Sequence, residues 1–369
     1  VRPERMPELD PQRRAGYSEP QAPEDLPPVP PGGTGVLTLN TANGADEYYG
    51  TDENREAQAD LIQETGASIV ALQEVDVGLE RSGGVNTALE LVRKLNPAFD
   101  AFTTGELTPV PIGADAPPTA IREGADGTTL YQTPEGTLVT GESFSGDDRG
   151  GLGTRSEEAT YGNAVYVAPP NRVVDAYTVV LPNSGGADPA SGPPDLAALG
   201  SGPVTDAERE ALKAYNEGIR DGGGEEPRTA LVTRVVGPDG KEQSIINVHL
   251  AAGEENQALR DAQLAYLAQV VEAESKGPPA REVVVMGDFN DTTEHVGEYL
   301  GTGEGGAGLN RTVGGHNAGI ENYDQIWTSS GLDTSHSAQV DTGGSWAGGL
   351  FDVFKGVSDH PNAGYTVIE

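Results

Sequence analysis

Asp288, Asn290 and Asp291 follow directly on Val283-Val284-Val285-Met286-Gly287. Acids and an amide so grouped suit the activation and orientation of a water molecule. The same residues behind a glycine also make an ordinary polar turn. Three β-branched residues and a methionine, with charge on both sides, predict a strand buried on both faces that ends at Gly287. Such a strand delivers Asp288 and Asn290 to the edge of a sheet, where α/β proteins place their chemistry. On this segment alone, catalytic edge and polar turn both stay open.

Other polar residues repeat the placement. Asn40 closes the apolar-rich run Val36–Leu39, and Glu74 follows Ile69-Val70-Ala71-Leu72-Gln73. His249 lies in Ser244–Leu250, where alternation sets Ile246, Val248 and Leu250 on one face and Asn247 and His249 on the other. Asp324 stands at the start of a short strand, Tyr323–Trp327, and Asp359-His360 precede a last strand, Gly364–Ile368. Singly, each has a bland reading: a cap or surface acid for Glu74, a satisfied structural ring for His249. An ordered series of strand-end acids with two histidines is a site.

The elements that carry them alternate. Helices are predicted at 54–65, stopped by Gly66, and at 85–95, stopped by Asn96-Pro97. Residues 103–160 are rich in glycine and proline and hold ten acids against three arginines. They read as a long insertion with a hairpin at 128–140, not as a separate domain. Strands at 163–167 and 173–181 are expected to pair as a hairpin, and so are 230–236 and 244–250 across a Gly-Pro-Asp-Gly turn. A second irregular insertion, 182–227, holds one helix at 205–219, expected as a lid or wall beside the site. A helix at 255–272 leads into the strand at 283. Hairpins mixed with helix-flanked strands predict an α/β domain with two mixed sheets.

The chain has 369 residues, 36% of them hydrophobic, enough for a substantial core. Residues 1–35 carry nine prolines and no apolar periodicity, so they read as a tail or linker ahead of a single domain, 36–369. No signal peptide is visible; a proline-rich start at Val1 reads as a processed terminus, and secretion is expected. There is no cysteine, hence no disulfide and no thiolate chemistry. No apolar run of roughly 18 residues is present to span a bilayer. The formal charge of −35 argues against broad attraction to nucleic acid or anionic membranes. A solvated surface accounts for most of these acids, with metal ions in an acidic cleft and adaptation to salt as further readings.

Taken in order, the motifs resemble the endonuclease/exonuclease/phosphatase superfamily, whose fold is that of deoxyribonuclease I. The matching segments are Leu39-Asn40, Gln73-Glu74-Val75, Gly162-Asn163-Ala164, Asn247-Val248-His249-Leu250, Gly287-Asp288-Phe289-Asn290, Tyr323-Asp324-Gln325-Ile326 and Ser358-Asp359-His360-Pro361. The resemblance implies a four-layer α-β-β-α sandwich with two packed mixed sheets, outer helices and a site at their open edge. It also implies hydrolysis of phosphate esters with a divalent metal, usually magnesium, with manganese or calcium as substitutes.

Roles follow from chemistry and resemblance together. Glu74 offers the hard oxygen that magnesium prefers, with Asn40 and Asp359 near it. The resemblance puts His360 on the scissile phosphate, with Asp324 accepting its other N–H. Asp288 is the expected general base, Asn290 orients water and phosphate, and His249 donates from the opposite wall. Arg228, just before a strand, reads either as a phosphate clamp or as half of a surface salt bridge. Asn163 is expected to support the site from behind; His295, His316 and His336 lie in loop-like sequence and receive no role. Pro361 is followed by Asn362-Ala363-Gly364 where many relatives carry valine or leucine, a departure in the loop behind His360.

A small or lipid-linked phosphate ester is the expected substrate, because no basic stripe with interleaved aromatics is present to track a nucleic-acid strand. A secreted nuclease is the alternative enzyme, and a non-catalytic binding module on the same scaffold the alternative of another kind.

Overall fold

The computed structural model describes residues 20–42, 51–145, 155–183, 193–222, 226–317, 320–342, 360 and 362–369. In chain order the strands and helices are β1 (Thr34–Asn40), α1 (Asp52–Thr65), β2 (Ile69–Leu79), α2 (Thr87–Leu95), β3 (Val110–Pro111), β4 (Ala120–Glu123), β5 (Thr128–Thr133), β6 (Gly136–Ser145), β7 (Arg155–Val167) and β8 (Arg172–Val180). There follow α3 (Leu196–Gly200), α4 (Asp206–Asp221), β9 (Thr229–Val236), β10 (Glu242–His249), α5 (Gln257–Lys276), β11 (Glu282–Asp288), α6 (Thr293–Leu300), β12 (Leu309–Asn317), β13 (Ile320–Ser329), β14 (Thr334–Asp341) and β15 (Asn362–Ile368).

Two mixed sheets result. One has nine strands in the order β14-β15-β1-β2-β7-β6-β5-β4-β3, the other six in the order β12-β13-β11-β10-β9-β8. The pairs β1·β2 and β10·β11 are parallel, each needing a crossover helix, which α1 and α5 provide. The neighbours of those pairs are antiparallel.

Alternation along the strands builds four layers. In β11, Val283 and Val285 face a core shared with Leu212, Leu264, Leu267 and Val271 of α4 and α5. Val284 and Met286 face the other way, against Val36, Ile69, Ala71 and Val165 of the larger sheet. All four are fully buried, as a strand covered on both faces requires. On the far side, Leu37, Leu39, Val70 and Leu72 pack beneath Leu61, Ile62, Leu89 and Val92 of α1 and α2. The order is helices, nine-stranded sheet, six-stranded sheet, helices, the sandwich expected from the sequence.

Several details differ from the sequence reading. The segments expected to form a hairpin around Pro169-Pro170 do not pair: β7 lies between β2 and β6 in the larger sheet, whereas β8 pairs with β9 in the smaller. Both edges of β7 are already taken, so the tight turn closed by Asn171 N–H to the Ala168 carbonyl carries the chain from one sheet to the other. The insertion at 103–160 contains the hairpin β5–β6, and with β3 and β4 it extends the sheet. Asp126 pins it down: buried, its carboxylate accepts from Thr178 N–H (2.8 Å), Thr128 Oγ1 (2.6 Å) and Arg209 Nη1 (3.2 Å).

The helix at 205–219 is α4, started by a Thr205/Glu208 capping box. Its Leu212, Tyr215 and Ile219 pack in the outer layer with Tyr177 and Val179 of β8. Leu26 and Val29 of the proline-rich segment rest against the core shared with α1 and α2, and Gln21 bridges to Val340. Among the described residues no helix is long and apolar enough to cross a membrane.

Candidate active site

The two-residue period of a strand decides which polar side chains can meet. Asn40 shares its face of β1 with Val36 and Thr38, His249 shares its face of β10 with Ile245 and Asn247, and Asp288 shares its face of β11 with Val284 and Met286. Asp324 shares its face of β13 with Ile326. In every case the apolar members lie in the core between the sheets. The polar members therefore converge at one mouth of that inter-sheet layer. Below them runs a polar seam: Gln73 Nε2 donates to Asn247 Oδ1 (2.7 Å), and Asn247 Nδ2 to the carbonyls of Leu72 (2.9 Å) and Ala164 (2.8 Å). Asn163 Nδ2 donates to the Thr229 carbonyl at 3.2 Å.

Glu74 has the wrong parity for this face, since Gln73 already occupies it. A register shift in the β2·β7 ladder between Leu72 and Val75 solves the problem. Glu74 takes φ +58° in that bulge, leaves the ladder, and puts Oε1 3.0 Å from Asn40 Nδ2. Among the described residues the non-glycine positions with positive φ are Ala42, Glu74 and Asn290. All three border this mouth. Strain of about 1–2 kcal/mol each is tolerated where the surrounding structure holds the residue in place.

Asp288 is the centre. Its Oδ2 receives Asn40 Nδ2 at 3.0 Å and lies 3.4 Å from Nε2 of both His249 and His360. Its Oδ1 accepts the Asn290 N–H at 2.9 Å. Burial by itself would raise the carboxyl pKa, but the two histidines, His360 foremost, and the N–H groups of Asn290 and Asn40 outweigh it and hold Asp288 ionised below its usual range. Asn290 is fixed in turn by Nδ2 donating to the Leu250 carbonyl (3.0 Å).

Gly287 makes this arrangement sterically feasible. It adopts φ +146°, and a Cβ there would lie 1.9 Å from the Val248 carbonyl oxygen. Only glycine lets β11 run so close to β10 at the point where both deliver their residues.

His360 Nδ1 lies 2.7 Å from Asp324 Oδ2. Asp324 is directly opposite Asp288 in the antiparallel β11·β13 ladder, inside β13 and not at its start as the short apolar run suggested. The strand is longer than that run because glycine-flanked polar residues ahead of Tyr323 still pair with β12. The Thr342 hydroxyl holds the His360 carbonyl.

Arg228 is not a surface residue: it is 8% exposed, and its Nη1 sits 3.0 Å from His249 Nδ1. Its ion pair with Glu226 is looser, at 3.8 Å. Burial and the Arg228 charge push the His249 pKa down to about 3, so the ring is neutral.

Two supporting groups went unseen in the sequence. Arg260, buried on α5, donates from Nε to Asp291 Oδ2 (3.0 Å) and from Nη1 to the carbonyls of Ala251 (3.0 Å) and Gly253 (2.6 Å). It thereby ties the loop after His249 to the loop after Asp288. Tyr161 is buried in the field of Glu74, Glu226 and Arg228, and burial pushes its phenol well up, leaving a hydroxyl donor. His295 stands in α6, capped by Thr292, and bridges Asp291 (2.8 Å) and Asp261 (3.1 Å). His316 and His336 stand in β12 and β14, strands hidden by glycine and polar content. Asp359 lies outside the described residues.

The donor set suits a hard divalent ion. Among the described residues there is no group of three or more His, Asp or Glu arranged as a cage. Magnesium, which keeps most of its waters and asks for one or two carboxylates, fits Glu74. Asn40, beside Glu74, donates from Nδ2 to Glu74 Oε1 (3.0 Å), and its Oδ1 accepts the Ala42 N–H at 2.9 Å.

The family model described as Endonuclease/Exonuclease/phosphatase family matches residues 37–360. No curated protein matches by sequence. Among solved structures, the human Nocturnin catalytic domain with bound sulfate anion is similar at 15% identity and a TM-score of 0.52, covering 91% of this chain and 93% of that one. An endonuclease/exonuclease/phosphatase from Beutenbergia cavernae DSM 12333 is similar at 14% identity and TM-score 0.52, covering 91% and 71%. One from Bacteroides vulgatus has 15% identity and TM-score 0.51, covering 91% and 98%. These likenesses concern the fold; the family match spans most of the chain, and the chain belongs to the endonuclease/exonuclease/phosphatase family.

Proposed function

We propose that this member of the endonuclease/exonuclease/phosphatase family is a divalent-metal-dependent phosphoesterase that cleaves a phosphodiester or phosphomonoester by in-line attack of water. The supporting observation is the convergence of Asn40, His249 and His360 nitrogens on one buried oxygen of Asp288. Donor groups gathered around one anionic oxygen also suit the phosphoryl oxygens of an ester bound beside Asp288. His249 serves as a neutral donor through Nε2. His360, steadied by Asp324, faces the same point and supports the charge that develops on phosphorus-bound oxygens.

Asp288, ionised, accepts the proton of the attacking water as the new P–O bond forms and the bond to the leaving oxygen breaks. A depressed pKa makes it a modest base but keeps it ready at neutral pH. Asn290, held by Leu250, orients the water. Glu74 would hold the metal, with Asp359 proposed beside it; the bound ion supplies neutralisation of phosphate charge and a lower pKa for water.

A small or lipid-linked ester is favoured over nucleic acid by the net charge of −35. The test is hydrolysis of bis-aryl phosphate, nucleotide, phospholipid, inositol phosphate and plasmid DNA, with magnesium and with EDTA, using Glu74→Ala as the negative control. Turnover of a non-nucleic ester that is lost in EDTA and in Glu74→Ala is expected. No turnover of any ester would overturn the reading, and nicking of supercoiled plasmid alone would replace it with a nuclease.

A further inference from the structure

His295 belongs to no motif, yet the fold sets it beside the turn that carries Asp288 and Asn290. Both of its ring nitrogens meet acids: Nδ1 lies 2.8 Å from Asp291 Oδ2, and Nε2 lies 3.1 Å from Asp261 Oδ1 of α5. An ionised carboxylate can only accept, so each nitrogen donates. Gln257 Nε2 is 3.1 Å from the same Nδ1, but it is itself a donor, satisfied by Asp291 Oδ2 (3.1 Å) and Asp261 Oδ1 (3.2 Å). The Tyr299 ring meets the imidazole edge to face, with centroids 5.5 Å apart. A ring that donates from both nitrogens holds two protons, and on losing one it loses one of its two bonds.

Asp291 passes this contact to the turn. It is buried, its Oδ1 accepts the Thr292 N–H (2.8 Å), its Oδ2 also takes Arg260 Nε (3.0 Å), and its carbonyl accepts Gln325 Nε2 (2.8 Å). Its neighbour Asn290 sits at φ +48° with its N–H on Asp288 Oδ1. Such a backbone persists where its surroundings hold it. Among the described residues, the other charged groups on the elements around the ring are Arg260, which meets Asp291 from α5, and Glu294, whose carboxylate turns to Thr293 Oγ1 (3.2 Å). Glu298 acts on Tyr299, and Arg311 of β12 reaches Thr293 Oγ1 (3.1 Å).

We propose that His295 is a positioning residue and a pH-sensitive tie: donating from both nitrogens, it fastens the turn Asp288–Asp291 to α5, and on losing a proton to solvent it lets go at one end. The ring reaches solvent for that exchange, with 23% of its side chain exposed. The effect on turnover rests on the phosphoesterase reading; the tie itself does not.

The test follows kcat and KM on bis(p-nitrophenyl) phosphate between about pH 5 and pH 8 in the wild type, His295→Arg and His295→Gln. Neither replacement titrates in that range, so the ratio of wild-type to variant kcat cancels the limbs that other groups set. That ratio is expected to fall by about fivefold as pH rises, against either variant, with His295→Arg, which keeps donors for both acids, the more active of the two. KM should hold, because the ring acts through Asp291. A ratio that stays flat with pH, or an effect on KM alone, would overturn the tie while leaving the phosphoesterase intact. If no ester is turned over at all, the phosphoesterase reading falls and the tie is read from amide exchange of Asn290 and Thr292. Protection that drops by about fivefold towards the alkaline end in the wild type, and not in the variants, supports it; the same protection profile in all three proteins overturns it.

Discussion

Arg228 Nη1 lies 3.0 Å from Nδ1 of His249. An arginine can only donate, so Nδ1 of the ring must accept, the ring proton must be on Nε2, and Nε2 is the atom that faces Asp288. One buried cation thus sets the tautomer of a site histidine and adds to the burial that keeps it neutral. Replacement of Arg228 by methionine removes the charge while keeping the bulk. Nitrogen-15 NMR is expected to show wild-type His249 neutral as the Nε2–H tautomer at pH 5, and the variant ring protonating at higher pH. A wild-type ring already cationic at pH 5 would refute the assignment.

The same burial writes a pH dependence into stability. The folded-state pKa of His249 is about 3, against the ordinary 6.5, so between those values the unfolded chain binds a proton that the folded chain refuses. Stability therefore falls as pH drops from about 6.5 towards 3, by about 2 kcal/mol at pH 5 relative to neutral pH. Asp288, its carboxyl depressed, adds a loss of the same sign, but only below its ordinary value of 3.8. Urea unfolding at pH 7 and pH 5 checks this: the decrement should shrink by about 2 kcal/mol in His249→Gln. An equal decrement in both proteins counts against it.

Gly287→Ala is expected to cost about 3 kcal/mol, because the new methyl would collide with the Val248 carbonyl. Gly240→Ala, with φ +81° and nothing within 4 Å, serves as the comparison and should cost about 1 kcal/mol. Thermal unfolding of both variants distinguishes a steric requirement from a purely conformational one. Equal costs would mean that the approach of β10 to β11 relaxes easily.

Asp324→Asn keeps the size of the group that steadies His360 and removes its charge. On the proposed mechanism, kcat should fall by roughly 10²–10⁴ while the fold persists. Retention of full turnover, with Tm unchanged, would take His360 out of the chemistry.

Arg260→Lys retains one charge but cannot span Asp291 and the carbonyls of Ala251 and Gly253 together. A loss of about tenfold or more in kcat is expected, with little change in metal requirement, since Glu74 lies on the other sheet. Equal activity in the two proteins would show that the loops hold their places unaided.

Much of the site was legible in the chain itself. Apolar runs ending in Asn40, His249 and Asp288 locate strand ends because the period of a strand and its stop signals are local properties, whereas the strand expected to stop at Glu74 runs on to Leu79. The glycine at 287 and the order of the motifs are likewise written in neighbouring residues. What local sequence could not decide is pairing. Whether β7 meets β8 depends on which edges β2 and β6 have already filled, and the insertion at 103–160 became sheet because β6 offered an edge and Asp126 an anchor in the other sheet. Asp324 stands opposite Asp288, Glu74 turns inward through a bulge, and Arg228 is buried against His249. Each of these contacts joins residues far apart in sequence, and burial, the cause of the His249 shift, exists only once the two sheets have closed on one another.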